Sequence, residues 1–188
     1  MENKTMKAGV VALLELALVG CAAVPTDVSL LQDSAIPSLS VIKDEFDGSA
    51  IVQQVPVSSS SSLAEGWHAL GFEWHQKTPE IIFVTAGAIG SVTLTDLAFN
   101  ADGELISRIK PASAGTEYGS SSTRRFAMSW QDFLKIANAK SVKMKLVRLD
   151  EYTVSSFGPE HPEAVVNTRI APFVEKVREL RSSAGGGR

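Results

Sequence analysis

Apolar side chains recur at every second position in several short stretches of this chain. In HALGFEWHQK, Leu70, Phe72 and Trp74 alternate with Gly71, Glu73 and His75, the period of a strand with one buried face, and Pro79 ends the run. Upstream, Ile51, Val52, Val55 and Val57 form a β-rich run that closes in five consecutive serines, Ser58 to Ser62, which read as an exposed loop. Residues 80 to 86 (EIIFVTA) are continuously apolar and are followed by Gly87 and Gly90, so a central strand is expected rather than a long helix. Residues 91 to 110 predict a hairpin around Asn100-Ala-Asp-Gly103. Further strands are expected over Thr123 to Met128, Ser141 to Leu149 and Tyr152 to Phe157, the last two joined by a turn at Asp150 and Glu151.

The period lengthens only in the C-terminal third. Ser129 offers an N-cap oxygen with Asp132 three residues later, so a helix should start there, with Trp130, Phe133, Leu134 and Ala137 on its core face. Val166, Ile170, Phe173, Val177 and Leu180 then recur at helical spacing. Pro172 requires that this second helix either begin near Thr168 or kink, because proline lacks the amide a helix interior uses. About seven or eight short strands with two late helices predict an α+β fold built on a mostly antiparallel sheet.

The amino terminus has a different pattern. Lys4 and Lys7 precede an apolar run from Ala8 to Gly20, and Cys21 follows. That is the layout of a secretory signal peptide, and its apolar run is too short for a permanent span, which takes about 20 residues. A start at Met6 instead of Met1 would shrink the charged segment to Met-Lys and remove its one acid, Glu2. Leu18, Val19, Gly20 and Cys21 resemble the lipobox of bacterial lipoproteins. The resemblance covers the signal region alone. It implies cleavage after Gly20, a diacylglyceryl group on the Cys21 sulfur and palmitate-type acylation of the new amino terminus. The bland alternatives are an ordinary signal peptide or a free buried cysteine. Ala22, where an aspartate would resemble an inner-membrane retention signal, favours the outer membrane facing the periplasm if the source is Gram-negative. The expected organisation is therefore a signal peptide over residues 1–20 and a lipidated N-terminus and tether over 21–45. A single globular domain over 46–181 and a disordered C-terminal tail over 182–188 follow. A flexible 24-residue tether spans about 27 Å, which keeps the domain near its membrane.

Composition adds bounds. The 188 residues are 44% apolar and 21% charged with a net charge of −3, which suits one ordinary domain and not a disordered chain. The charge is unevenly placed: residues 122–149 hold seven Lys or Arg against Asp132 alone, a net of +6, whereas residues 21–121 hold four bases and twelve acids, a net of −8. Arg124, Arg125, Lys143 and Lys145 are accordingly the candidate binding residues. The competing reading is that these bases pair with the acidic half of their own domain or mark an edge strand.

Signals for chemistry are sparse. No GxSxG, HExxH or CxxC occurs, and GAIGS at residues 87–91 is neither a P-loop nor a dinucleotide fingerprint. His68 and His75 are seven apart on one strand and point to opposite faces; His161 lies in a Pro- and Glu-containing loop. Glu73 and His75 share a face and form a candidate acid/base pair, although a solvated pair is the commoner arrangement. Asp102-Gly103 lacks the ordered acids of a calcium loop. No catalytic residue, metal site or cofactor is assigned. The expectation is a monomeric, non-catalytic envelope lipoprotein, held to the membrane by its lipid, that docks an envelope protein or an anionic envelope polymer. Its exported location excludes nucleic acid. A cell-wall-acting enzyme and a carrier of a small or lipid ligand are the alternatives.

Overall fold

The computed structural model describes residues 39–149 and 151–185. The signal segment, Cys21 and the tether up to residue 38 lie outside them. The fold is α+β, as the periodicities predict: two antiparallel sheets and two helices, the second helix C-terminal. The larger sheet has seven strands: β1 (Ser40–Lys43), β2 (Ala50–Ser58), β3 (His68–His75), β4 (Ile81–Ile89), β7 (Lys110–Pro111), β8 (Glu117–Tyr118) and β9 (Ser121–Ser129). They run in the order β1-β2-β3-β4-β9-β7, with β8 also on β9. The smaller sheet runs β11 (Tyr152–Phe157), β10 (Val142–Arg148), β5 (Leu94–Ala101) and β6 (Glu104–Ile106). Ser40–Lys43, read from sequence as tether, pairs with β2 at the edge of the larger sheet.

Alternation aims one face of each sheet inward. Leu70, Phe72 and Trp74 of β3, Ile82, Val84 and Ala86 of β4, and Phe126 and Met128 of β9 are buried on the larger sheet. Leu97 and Phe99 of β5 and Val142, Met144 and Leu146 of β10 are buried on the smaller one. Both sheets and both helices contribute to one apolar cluster. Helix α1 (Trp130–Asn138) starts at Ser129, whose Oγ accepts from the Asp132 amide at 3.0 Å, the cap the sequence predicts. Helix α2 (Asn167–Gly185) extends into the segment read as tail and buries Ile170, Phe173, Val174 and Val177. It runs through Pro172 in its second turn, and Thr168, whose carbonyl loses its intrahelical donor there, is exposed to water. Phe72, Phe133 and Phe173 meet with ring centroids 5.0 to 5.6 Å apart, joining the larger sheet to both helices.

Two bulges interrupt the period. Thr95 is an extra residue against Val147 and Arg148, so Leu94 and Leu97, three apart, are both buried. On β2, Val55 and Pro56 oppose Gly71 of β3, and a Cβ on Gly71 would lie 2.7 Å from the Pro56 nitrogen. Only glycine admits that approach. The serine run corrects the expectation of an exposed loop: Ser59 and Ser60 are fully buried, because β2 continues inward against His68 instead of turning out to water.

Candidate functional site

The four basic candidates separate. Arg124 and Arg125 are neighbours on β9 and point to opposite faces, as alternation requires. Arg124 turns toward the smaller sheet, where its Nη1 donates to the Leu94 carbonyl at 2.6 Å, so it serves the join between the sheets. Arg125 lies on the outer face of the larger sheet. Its Nη2 donates to Glu73 Oε1 at 2.5 Å, and its guanidinium stacks 4.0 Å from the Phe83 ring centroid. His75 also bonds to Glu73 Oε1, and Gln53 Nε2 donates to Oε2 at 3.5 Å. Glu73 and His75 thus share a face as alternation predicts, and Arg125 adds a partner that spacing along the chain did not reveal. With both carboxylate oxygens engaged, Glu73 is held as an ion-pair anchor.

Lys143 and Lys145 are on the outer face of the smaller sheet, both exposed, on the strand between β11 and β5. Lys143 sits opposite Ser156 and Asn100, and Lys145 opposite Val154 and Ala98. Among the described residues neither lysine has an ion-pair partner, whereas Arg125 pairs with Glu73, Lys135 with Glu104 and Asp132, and Arg148 with Glu151. The internal-pairing reading therefore fits Arg125 and Lys135, while among the described residues Lys143 and Lys145 show no such pair. Lys145 Nζ lies 4.1 Å from the centroid of the Tyr152 ring, a cation–π contact that holds both side chains over the sheet. Tyr152 is 59% exposed, Leu105 on β6 67% and Leu149 just after β10 71%; Val154 shares the outer face of β11. Apolar side chains, one aromatic ring and two exposed lysines thus share one solvent-facing surface.

The histidines divide similarly. His68 is buried at the inner start of β3: its Nδ1 is 3.2 Å from Ser60 Oγ and its Nε2 2.7 Å from Thr153 Oγ1. Ser60 Oγ donates its hydrogen to the Gly66 carbonyl at 2.6 Å, so this buried serine is not poised as a nucleophile. His161 is half-buried and bonds to Ser141 Oγ at 3.2 Å. Trp74 is buried and donates to the Pro79 carbonyl, and Trp67 is half-buried. The Asp102 carboxylate accepts the Lys140 and Ser141 amides at 2.8 to 3.1 Å. Among the described residues no group of three or more His, Cys, Asp or Glu side chains is arranged to hold a metal ion, and no helix is long and apolar enough to cross a membrane.

An open groove of about 370 Å³ runs between α1, the end of β11 and the start of α2, lined by Ile136, Ala139, Phe157, Pro162, Ile170 and Ala171. No family model, curated protein or solved structure matches the chain significantly.

Proposed function

We propose that this chain is a membrane-anchored envelope lipoprotein whose folded domain docks an anionic partner, a protein face or an envelope polymer, through the outer face of the smaller sheet. The observation that carries the reading is the pair of exposed cations, Lys143 and Lys145, without an ion-pair partner among the described residues and beside exposed Tyr152, Val154 and Leu105. Apolar and aromatic side chains supply contact area in such a patch, and the lysines steer an anionic partner toward it. A non-catalytic role is supported by the His-containing pairs: Ser60 spends its hydrogen on a backbone carbonyl, and Glu73 is engaged by three side chains. The lipobox-like Leu18-Val19-Gly20-Cys21 supports the anchor, and Ala22 an outer-membrane address facing the periplasm in a Gram-negative source.

A photo-crosslinking side chain at Leu105, in cells, tests this. The parent should capture a partner identifiable by mass spectrometry, and the Lys143→Gln/Lys145→Gln variant should lose it while keeping its melting temperature. The purified complex should associate more slowly as salt rises. Unchanged capture by a variant that melts several degrees lower would assign the lysines to stability and overturn the reading. The apolar groove between α1 and α2 is the feature that favours the carrier alternative. Displacement of a fluorescent fatty acid by Ile170→Trp, with no effect of the lysine variants, would select it.

A further inference from the structure

The buried serine run and His68 form a polar junction between the two sheets. Strand β11 is the edge of the smaller sheet, and β10 is its one strand neighbour. At its far end Phe157 packs against Phe99 in the core, and its polar attachments come from the β2–β3 connection and the first residue of β3. Glu65 Oε2 accepts both the Ser61 amide and the Ser156 amide, and His68 Nε2 meets Thr153 Oγ1 across 85 residues of chain. Along β11 the side chains alternate, so Thr153 faces this junction while Tyr152 and Val154 face the proposed docking surface.

The proton positions follow from the hydroxyls. The one hydrogen of Ser60 goes to the Gly66 carbonyl, so Ser60 Oγ accepts from the His68 amide at 3.1 Å and from ring Nδ1. His68 is then the neutral Nδ1–H tautomer, and its Nε2 accepts the Thr153 hydroxyl hydrogen. A second proton on Nε2 would turn that acceptor into a donor. Thr153 can rotate its hydroxyl to receive it, so the main cost is a cation with 1% of its residue surface in water. The charged groups facing the ring are Arg148 of β10, which opposes a second positive charge, and Glu65, whose Oε2 already serves two amides.

We propose that this junction is an acid-operated latch: protonation of His68 releases β11 and thereby disorders Tyr152 and Val154 on the docking face. The proposal rests on the docking reading for its consequence, and on the junction alone for its mechanism. Burial holds the His68 imidazole below its ordinary value of 6.5, with the Gly66 carbonyl opposing, Arg148 reinforcing and Glu65 opposing. Because the closed form binds the proton less well than the open form, closure is fully favoured above about pH 6.5 and weakens as pH falls below it.

Amide exchange on the mature chain, corrected for the intrinsic pH dependence of exchange, tests the latch at pH 7.5 and pH 5. Protection of the β11 amides should fall at least tenfold while that of β4 changes less than twofold. Thr153→Val, which keeps the volume and removes the hydroxyl, should show the low β11 protection already at pH 7.5. His68→Gln, where it folds, should abolish the pH response. Equal loss in β11 and β4, or no loss in either, overturns the latch. If β11 holds at pH 5 and Leu105 crosslinking persists, the latch fails and docking stands. If β11 loosens and Leu105 crosslinks to nothing at either pH, docking fails and the latch stands.

Discussion

Arg125 on β9 reaches over the ring of Phe83 on β4 to bond Glu73 on β3, so one ion pair spans three adjacent strands of the larger sheet. Backbone pairing sets Glu73 opposite Phe83 and Arg125 opposite Thr85, which makes the contact diagonal. The aromatic floor under the guanidinium keeps the long side chain flat on the sheet.

Arg125→Ala should therefore cost about 1–2 kcal/mol, the sum of a half-exposed ion pair and a cation–π contact. Urea denaturation measures it. Partner capture through Lys143 and Lys145 should be unchanged, since those lysines occupy the other sheet.

Gly71→Ala should cost about 2 kcal/mol or more, because the added methyl group would meet the Pro56 nitrogen at 2.7 Å and the Gln54 carbonyl at 2.9 Å, both backbone atoms in a bulge. Gly115→Ala is the control: no atom lies within 4 Å of its added Cβ, and its stability should stay within about 0.5 kcal/mol. Thermal melts of the two variants separate close backbone approach from loss of glycine as such.

Asp102 is at φ +50, followed by Gly103 at +94, which is the two-residue turn that Asp-Gly favours. Hydrogen bonds from the Lys140 amide and then the Ser141 amide hold its carboxyl below the ordinary value of 3.8. The folded state therefore releases this proton more readily than the unfolded chain. The stability Asp102 supplies is present above about pH 4 and is lost as pH falls through its folded value. Asp102→Asn keeps a residue that tolerates positive φ, so the hairpin should persist by NMR. The gap in urea midpoint between parent and variant should be widest at pH 7 and close below pH 4.

Cys21→Ser should abolish fatty-acid labelling in cells and leave the precursor uncleaved or released from the membrane. Labelling that survives the substitution would reject the lipobox resemblance as the source of the anchor.

What the sequence by itself determined is local. Leu70, Phe72 and Trp74 declare a one-faced strand because side chains alternate over two residues, whatever the strand pairs with. Ser129 with Asp132 and Asp102 with Gly103 mark a helix start and a hairpin because cap and turn chemistry act over three or four residues. The lysines two apart on β10 share a face for the same reason. The tertiary structure decided the rest. β7 and β8 have two residues each, too few to show a period, and β1 lies in a stretch whose prolines and serines read as tether. Five serines suggest solvent by composition, yet Ser59 and Ser60 are enclosed because the chain beyond β2 stays paired with His68 at the start of β3. Arg124 and Arg125 look alike in sequence. One meets the carbonyl of Leu94 and the other Glu73 because β9 lies beside β4 in one sheet and under β5 of the other. Alternation, turns and caps are set by neighbours along the chain, whereas burial of a polar run and the partner of a charge depend on which distant strand packs there.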